Sequence, residues 1–487
     1  MKVYLPPATV PTEGGTLIRP SPDIALPMTT EGFTTSRPRL DFLHGLRGLA
    51  ALTVMLFHVT LNTAPESAGP IVSLLNVPLL HGYLAVSVFL VLSGFLLAMP
   101  VVTNGLMLRG GIRGFMWRRS MRILPPYYAA YLLDMLFFAG ANWLASLLGR
   151  DPGVVVHSQI ATGYRWPTVV AHLLLVHNLS HDWVEGMDGM LWSIGCEWQI
   201  YLLFAIALVP LWRRGGLWMM LAVCAALAAT ITEAIARNWC VYFLPWMIPI
   251  FGIGAAGASV AFGTTQRSAA MRRWPWGTIT IAAVVVLLAG ICLLDASVPP
   301  ATLKGRLPVP YYSFSFRVRW IYDVLAAVAT ASLIVWLTLG CRHGDVPAGM
   351  VSRVRTMLES RWLQGLGRFS YSLYLTHGIV LVFMARATTC LWPHRLVHWA
   401  VMMIGCTLAS LAFGYLFHLC VERRFMTGET RGMFSPREAS PSGVASCNRP
   451  ASASAWVGSR PNSRRTADIP KADTTAAAPT ARTVSDG

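Results

Sequence analysis

Charge is what this chain lacks most: only 13% of its 487 residues are Asp, Glu, Lys or Arg, about half the ~25% of a soluble domain. Acidic residues are the scarcer sign, 22 against 39 Lys and Arg, which leaves a formal charge of +17. No basic block forms a soluble domain, so the excess reads as loop charge under the positive-inside rule and not as a nucleic-acid footprint. Paired cysteines are missing too. The nine are scattered, mostly inside apolar stretches (Cys196, Cys224, Cys240, Cys292, Cys406, Cys420), and no CxxC pair occurs. That excludes a disulfide framework and a zinc site, leaves cysteine as a small apolar filler, and gives no reason to expect a metal or a resident cofactor. Residues 1–36, rich in Pro, Thr and Gly, lack the apolar core of a cleavable signal peptide. From about 428 to 487, Ser, Ala, Pro, Thr and Arg replace the large apolar residues. Such a tail cannot bury enough surface to offset its ordering entropy, so disorder is expected at both ends.

What is present in quantity is hydrocarbon: 54% hydrophobic residues and a mean hydropathy of +0.52. Apolar runs of about twenty residues recur, each long enough to cross a ~30 Å hydrocarbon core. Residues 37–427 therefore read as one all-α, polytopic membrane domain. Candidate spans are roughly 43–61, 82–102, 123–142, 190–211, 217–236, 241–262, 277–295, 320–340, 368–387 and 397–420, about ten helices. The stretch 168–179 is too short and too rich in His to cross, and suits a re-entrant or interfacial piece. Placing both termini in the cytoplasm puts Arg109, Arg113, Arg118, Arg119 and Arg122 inside, followed by Arg213, Arg214, Arg267, Arg272, Arg273, Arg342, Arg353, Arg355, Arg361 and Arg368. Loop 62–81, free of Lys and Arg, and the acidic stretch with Asp182, Glu185 and Asp188 face out. One outer loop dissents, with Lys304, Arg306, Arg317 and Arg319. The plasma (bacterial inner) membrane is the expected location.

Ionisable groups within spans cost several kcal/mol unless paired or wetted, so each is a candidate by default. Arg47 and His58 lie eleven positions apart in LHGLRGLAALTVMLFH. At ~100° per residue they share one helix face, about 16 Å apart along its axis. A snorkelling arginine and a carbonyl-bonded histidine fit this as well as a functional pair does. In MWRRSMRILPPYY, Arg119 and Arg122 sit three apart just before what reads as a Pro-started helix. Two guanidiniums there suit phosphate, although the pattern is also an ordinary topology signal. Ser93 in SVFLVLSGFLL marks close helix packing more readily than a nucleophile. Glu197 in LWSIGCEWQIYLL has no evident structural role and falls near the estimated depth of His58, where a carboxylate could orient an imidazole. His377 in FSYSLYLTHGIVL reads first as a hydrogen-bonded structural histidine. Glu422 with Arg423 and Arg424 reads as a surface ion pair.

Taken in order, these fragments resemble the membrane-bound acyltransferase 3 family of bacterial O-acyltransferases. The marks are LRG with its following His, GFL after a Val/Phe-rich run, RRxxRILPPYY, LWSxxxEWxxYL and SYSLYLxH, across residues 40–425. The family often has Asp where this chain has His44. The resemblance implies transfer of an acyl group, often acetyl, from acyl-CoA to a hydroxyl, commonly of an envelope carbohydrate or a glycosylated small molecule. It carries function onto Arg47, His58, Arg119 and Arg122, and more weakly onto Glu197; His377 and Ser93 are secondary candidates. Acyl-CoA, a glycosylated acceptor and membrane lipid are then the expected partners. In that scheme Arg119, Arg122 and Arg47 meet the donor phosphates. His58, oriented by Glu197, either deprotonates the acceptor hydroxyl or carries the acyl group itself. The competing class is a transporter or flippase whose intramembrane His, Glu and Arg line a translocation path; no convincing internal repeat supports it.

Overall fold

The structure, a computed structural model, describes residues 40–63, 78–149, 165–185, 189–236, 244–295, 309–342, 349–391 and 395–426. The expected tails lie outside the described residues. Every regular element among the described residues is helical, as hydrocarbon surroundings require of a chain that must satisfy its own backbone. Six helices are long and apolar enough to cross a membrane: Phe42–Leu61, Leu84–Thr103, Gly111–Leu144, Trp192–Glu233, Arg319–Cys341 and Val397–Phe425. Three local features separate this number from the ten expected spans. The spans near 190–211 and 217–236 run on as one helix interrupted at Gly216 (φ 81°, ψ 177°). Met247–Phe262 continues into Gln266–Arg272 through a 94° bend. Trp276–Cys292 and Ser370–Ala385 are apolar but shorter.

The helices that build the site are α1 (Phe42–Thr63), α2 (Leu84–Thr103) and α3 (Gly111–Leu147). They are followed by the short α4 (Trp166–Leu173), α5 (His181–Glu185), α6 (Trp192–Leu203), α7 (Val209–Ala236) and α8 (Met247–Phe262). Then come α9 (Gln266–Arg272), α10 (Trp276–Asp295), α11 (Val309–Arg342), α12 (Met350–Leu358), α13 (Arg361–Arg368) and α14 (Ser370–Leu391). The last are α15 (Arg395–Val401), α16 (Thr407–Phe417) and α17 (Arg423–Phe425), with π turns at Met402–Cys406 and His418–Glu422.

The tightest pairing is α2 against α8. A methyl group on Gly94 would overlap the Phe251 carbonyl, and one on Gly254 would overlap the Val91 carbonyl. Small residues thus let the two backbones meet, which is how helices associate where hydrophobic burial gives no drive. Around this seam the core is aromatic, with Phe42, Phe95, Tyr127, Phe204 and Phe251 all fully buried. The first turns of α1 are clasped by α12 and α13, and its far half packs on α14.

Two local expectations change. Arg119 and Arg122 do not precede a Pro-started helix; α3 begins at Gly111 and runs through Pro125 and Pro126. Pro125 and Pro126 have no N–H for the carbonyls of Met121 and Arg122 one turn back, and at the neighbouring Ile123 carbonyl Tyr371 of α14 donates at 3.0 Å. Of the cysteines taken as buried filler, Cys196, Cys224 and Cys406 are buried, whereas Cys292 and Cys420 are exposed; Cys240 lies outside the described residues. The His-rich piece 168–179 forms α4 and a 3₁₀ turn at His177–Leu179. Its His172 and His177 are buried with rings stacked at 4.0 Å, each donating from Nε2 to a main-chain carbonyl, of Trp183 and Leu191.

Candidate active site

Helices α1, α2, α3, α6 and α14 enclose a file of polar side chains that follows the Arg47–His58 face of α1. At the Arg47 end, Arg47 and Arg119 lie within electrostatic reach of Arg122, Glu197 and Tyr201. His44 faces Arg47, Arg122 and Arg368. Neither Arg47 nor Arg119 makes a hydrogen bond or ion pair with the described residues, so two guanidinium forks stand uncommitted around Arg122, Glu197 and Tyr201. Arg122, within reach of both, repels each of them unless an anion joins the layer.

Glu197 is anchored within this basic layer. Ser93 Oγ donates to its Oε1 at 2.8 Å. Tyr201, one turn on in α6, donates to the same oxygen and lies 3.1 Å from Ser93 Oγ. The carboxylate is also within reach of Tyr371 at the start of α14. This corrects the expectation that Glu197 shares the depth of His58 and orients its ring. The ring meeting His58 is His377, six residues beyond Tyr371 and hence about 9 Å farther along the helix. Ser93, with its hydroxyl proton directed at Glu197, is a support for the carboxylate.

A second carboxylate completes the layer. Glu422 is no surface ion pair: it is 7% exposed, accepts from Ser372 Oγ at 2.6 Å, and lies 2.7 Å from His418 Nδ1. Arg47 senses its charge. The π turn at His418–Glu422 places both side chains inward, a common use of π geometry at functional sites. The i, i+4 spacing of His418 and Glu422 was readable; the inward turn was not.

One helical turn farther, Tyr374 donates to the Met190 carbonyl at 2.7 Å and lies 2.6 Å from Ser193 Oγ. Beyond it the two histidines meet, His377 Nε2 to His58 Nδ1 at 3.2 Å. Their tautomers follow from the carbonyls beside them. His377 Nδ1 is 2.7 Å from the Tyr374 carbonyl, and a carbonyl can only accept, so Nδ1 carries the proton and Nε2 the lone pair. His58 Nδ1 is 3.0 Å from the Val54 carbonyl and so is also the protonated nitrogen. It can share that proton with His377 Nε2. The basic lone pair of His58 is therefore on Nε2. An imidazole held this way can accept a proton at Nε2, and the resulting cation finds two acceptors already facing Nδ1.

The acyltransferase 3 family, described as an acyltransferase domain, matches residues 40–418 of the chain, a range that holds the whole file from Arg47 to His377. The chain belongs to this family. It is an acyltransferase, and the transporter reading falls away. This acyltransferase is 26% identical over 421 residues to "Acyltransferase MdmB" of Streptomyces mycarofaciens, covering 80% of this chain and 92% of that protein. It is 25% identical over 400 residues to "Putative peptidoglycan O-acetyltransferase YrhL" of Bacillus subtilis (77% and 54%). It is 20% identical over 408 residues to "Peptidoglycan O-acetyltransferase OatA" of Listeria monocytogenes (78% and 56%). The chain thus spans nearly all of the first relative and about half the length of the other two. No solved structure matches this acyltransferase.

Proposed function

We propose that this acyltransferase moves a short acyl group, acetyl above all, from acyl-CoA to a hydroxyl of a carbohydrate or glycosylated acceptor. The observation that carries the reading is the two guanidiniums Arg47 and Arg119 on the same polar file as His58, whose Nδ1 faces the Val54 carbonyl and His377 so that its basic lone pair is on Nε2. Coenzyme A is a polyanion joined to a long neutral arm, and charge-assisted bonds to its phosphates would engage forks that the protein leaves open. The arm would run along α1 past Tyr374 toward His58. Names of relatives support O-acylation: one is named a peptidoglycan O-acetyltransferase, another a putative one, and the relative of matching length is named an acyltransferase.

In the step proposed, His58 Nε2 takes the acceptor hydroxyl proton as the oxygen attacks the thioester carbonyl. The new ester C–O bond forms, the C–S bond breaks, and the leaving thiolate recovers the proton from the imidazolium. Val54 and His377 hold the ring, while Glu197 and Glu422 temper the repulsion among the arginines. An acyl group resting on Nε2 before reaching the acceptor uses the same atoms. The proposed topology keeps ten spans: the helix broken at Gly216 counts as two, the bent pair as one, and the two shorter apolar helices as one each. With both termini cytoplasmic in a plasma membrane, the arginine layer faces the compartment that supplies acyl-CoA. The test is acetyl-CoA cleavage by the purified protein in detergent, followed as free thiol with and without glycoside acceptors. Acceptor-stimulated thiol release supports the reading; no release with any acceptor refutes it.

A further inference from the structure

Arg319 is one of the four cations in the expected outer loop that dissents from the loop-charge rule. Its surroundings give it a function. Asp323, one turn on in α11, is fully buried and saturated with donors: Ser87 Oγ at 2.6 Å on one oxygen, Trp246 Nε1 at 2.8 Å on the other. This fixed carboxylate draws in Arg319, whose Nε stands 3.6 Å away. The guanidinium carbon lies over the ring of Tyr83, 4.6 Å from its centroid, within cation–π range. The side chain is 24% exposed, and its terminal nitrogens make no hydrogen bond to the described residues. A guanidinium is thus clamped from below and behind with its fork open.

The cluster adjoins the histidine pair. Phe57 and Tyr83 rings are 6.0 Å apart, and Phe57 and His58 rings 5.0 Å. Arg319 is accordingly reached from His58 through two ring contacts and then its own contact on Tyr83, at the end of the file opposite the arginine layer assigned to the donor. We propose that Arg319 is an acceptor-binding residue that receives a carboxylate or phosphate carried by the glycosylated acceptor while a hydroxyl of that molecule lies at His58. A planar fork with two open nitrogens matches either oxyanion in bidentate fashion. Holding the acceptor at a point remote from the reacting hydroxyl orients it for attack. This inference rests on the acyl-transfer reading above.

The test uses the full-length protein in detergent with acetyl-CoA and three acceptor probes: methyl glucoside, methyl glucuronide and glucose 1-phosphate. For the wild type, an acceptor KM at least about tenfold lower for one of the anionic probes than for the neutral one is expected; which probe it is separates carboxylate from phosphate. Arg319→Gln should bring that ratio close to one, and Arg319→Lys should keep part of it. Tyr83→Leu, which removes the shelf but not the charge, should give an intermediate ratio and serves if Arg319→Gln is not monodisperse. Equal behaviour of the three probes with wild type, or an anionic preference that survives Arg319→Gln or is untouched by Tyr83→Leu, overturns the proposal. Failure of the wild type to cleave acetyl-CoA at all counts instead against the proposed function.

Discussion

Replacing His377 with alanine isolates the role given to the histidine pair. In the folded protein the His58 Nδ1 proton has two acceptors, the Val54 carbonyl at 3.0 Å and His377 Nε2 at 3.2 Å. The substitution removes the second and leaves the first. While His58 holds the acceptor's proton its hydrogen bonds are charge-assisted, and one such bond is worth roughly 1.5–3 kcal/mol. At 1.36 kcal/mol per tenfold in rate, kcat should fall about ten- to 150-fold. The donor KM should stay within about twofold, because the arginine layer lies some 9 Å away along α14. His377→Gln supplies a carbonyl oxygen where Nε2 stood and should recover part of the loss. Free-thiol release from acetyl-CoA at saturating donor and acceptor measures both quantities, with monodispersity by size exclusion as the folding control. Wild-type kcat in a folded His377→Ala protein would refute the pairing argument. A loss with no recovery in the glutamine variant would point to a direct chemical role for His377.

Arg47→Gln and Arg119→Gln should each raise the acetyl-CoA KM by about ten- to 150-fold, one charge-assisted contact, with a smaller change in kcat; steady-state titration of the donor checks this. Glu197→Gln keeps an oxygen for Ser93 and Tyr201, so kcat should drop less than about tenfold; a loss matching that of a His58 variant would reinstate Glu197 as the partner of His58. Gly254→Ala drives a methyl into the Val91 carbonyl and should cost about 1–3 kcal/mol of stability, seen as a lower melting temperature in detergent with donor KM unaffected.

Much of this arrangement is legible in the sequence, because a membrane makes polar residues expensive and therefore conspicuous. Arg47, His58, Arg119, Arg122, Glu197 and His377 stood out on that ground, and helical periodicity alone put Arg47 and His58 on one face. Relative depth could not be read. It depends on how helices slide against each other, and a shift of two turns moved the partner of His58 from Glu197 to His377. Inward turning at helix ends was hidden as well: Glu422 sits beside two arginines in sequence, and only the π turn carries it inside. Asp323 was overlooked, although Arg319 four residues earlier is its i, i+4 partner. The span count exceeded what length and apolarity show because two expected spans run on as one helix broken at Gly216, a third is bent near Gly263, and two others form shorter apolar helices, Trp276–Cys292 and Ser370–Ala385.

In the proposed mechanism the Nε2 lone pair of His58 performs the proton transfer. His58→Asn tests it most directly, since the asparagine amide can still donate to the Val54 carbonyl but offers no base where Nε2 was. In a single turnover of bound acetyl-CoA with saturating acceptor, the folded variant should be slower by about 10²–10⁴-fold, the usual contribution of a positioned acid–base group, with donor affinity retained. A single-turnover rate within tenfold of wild type would contradict the assignment of His58.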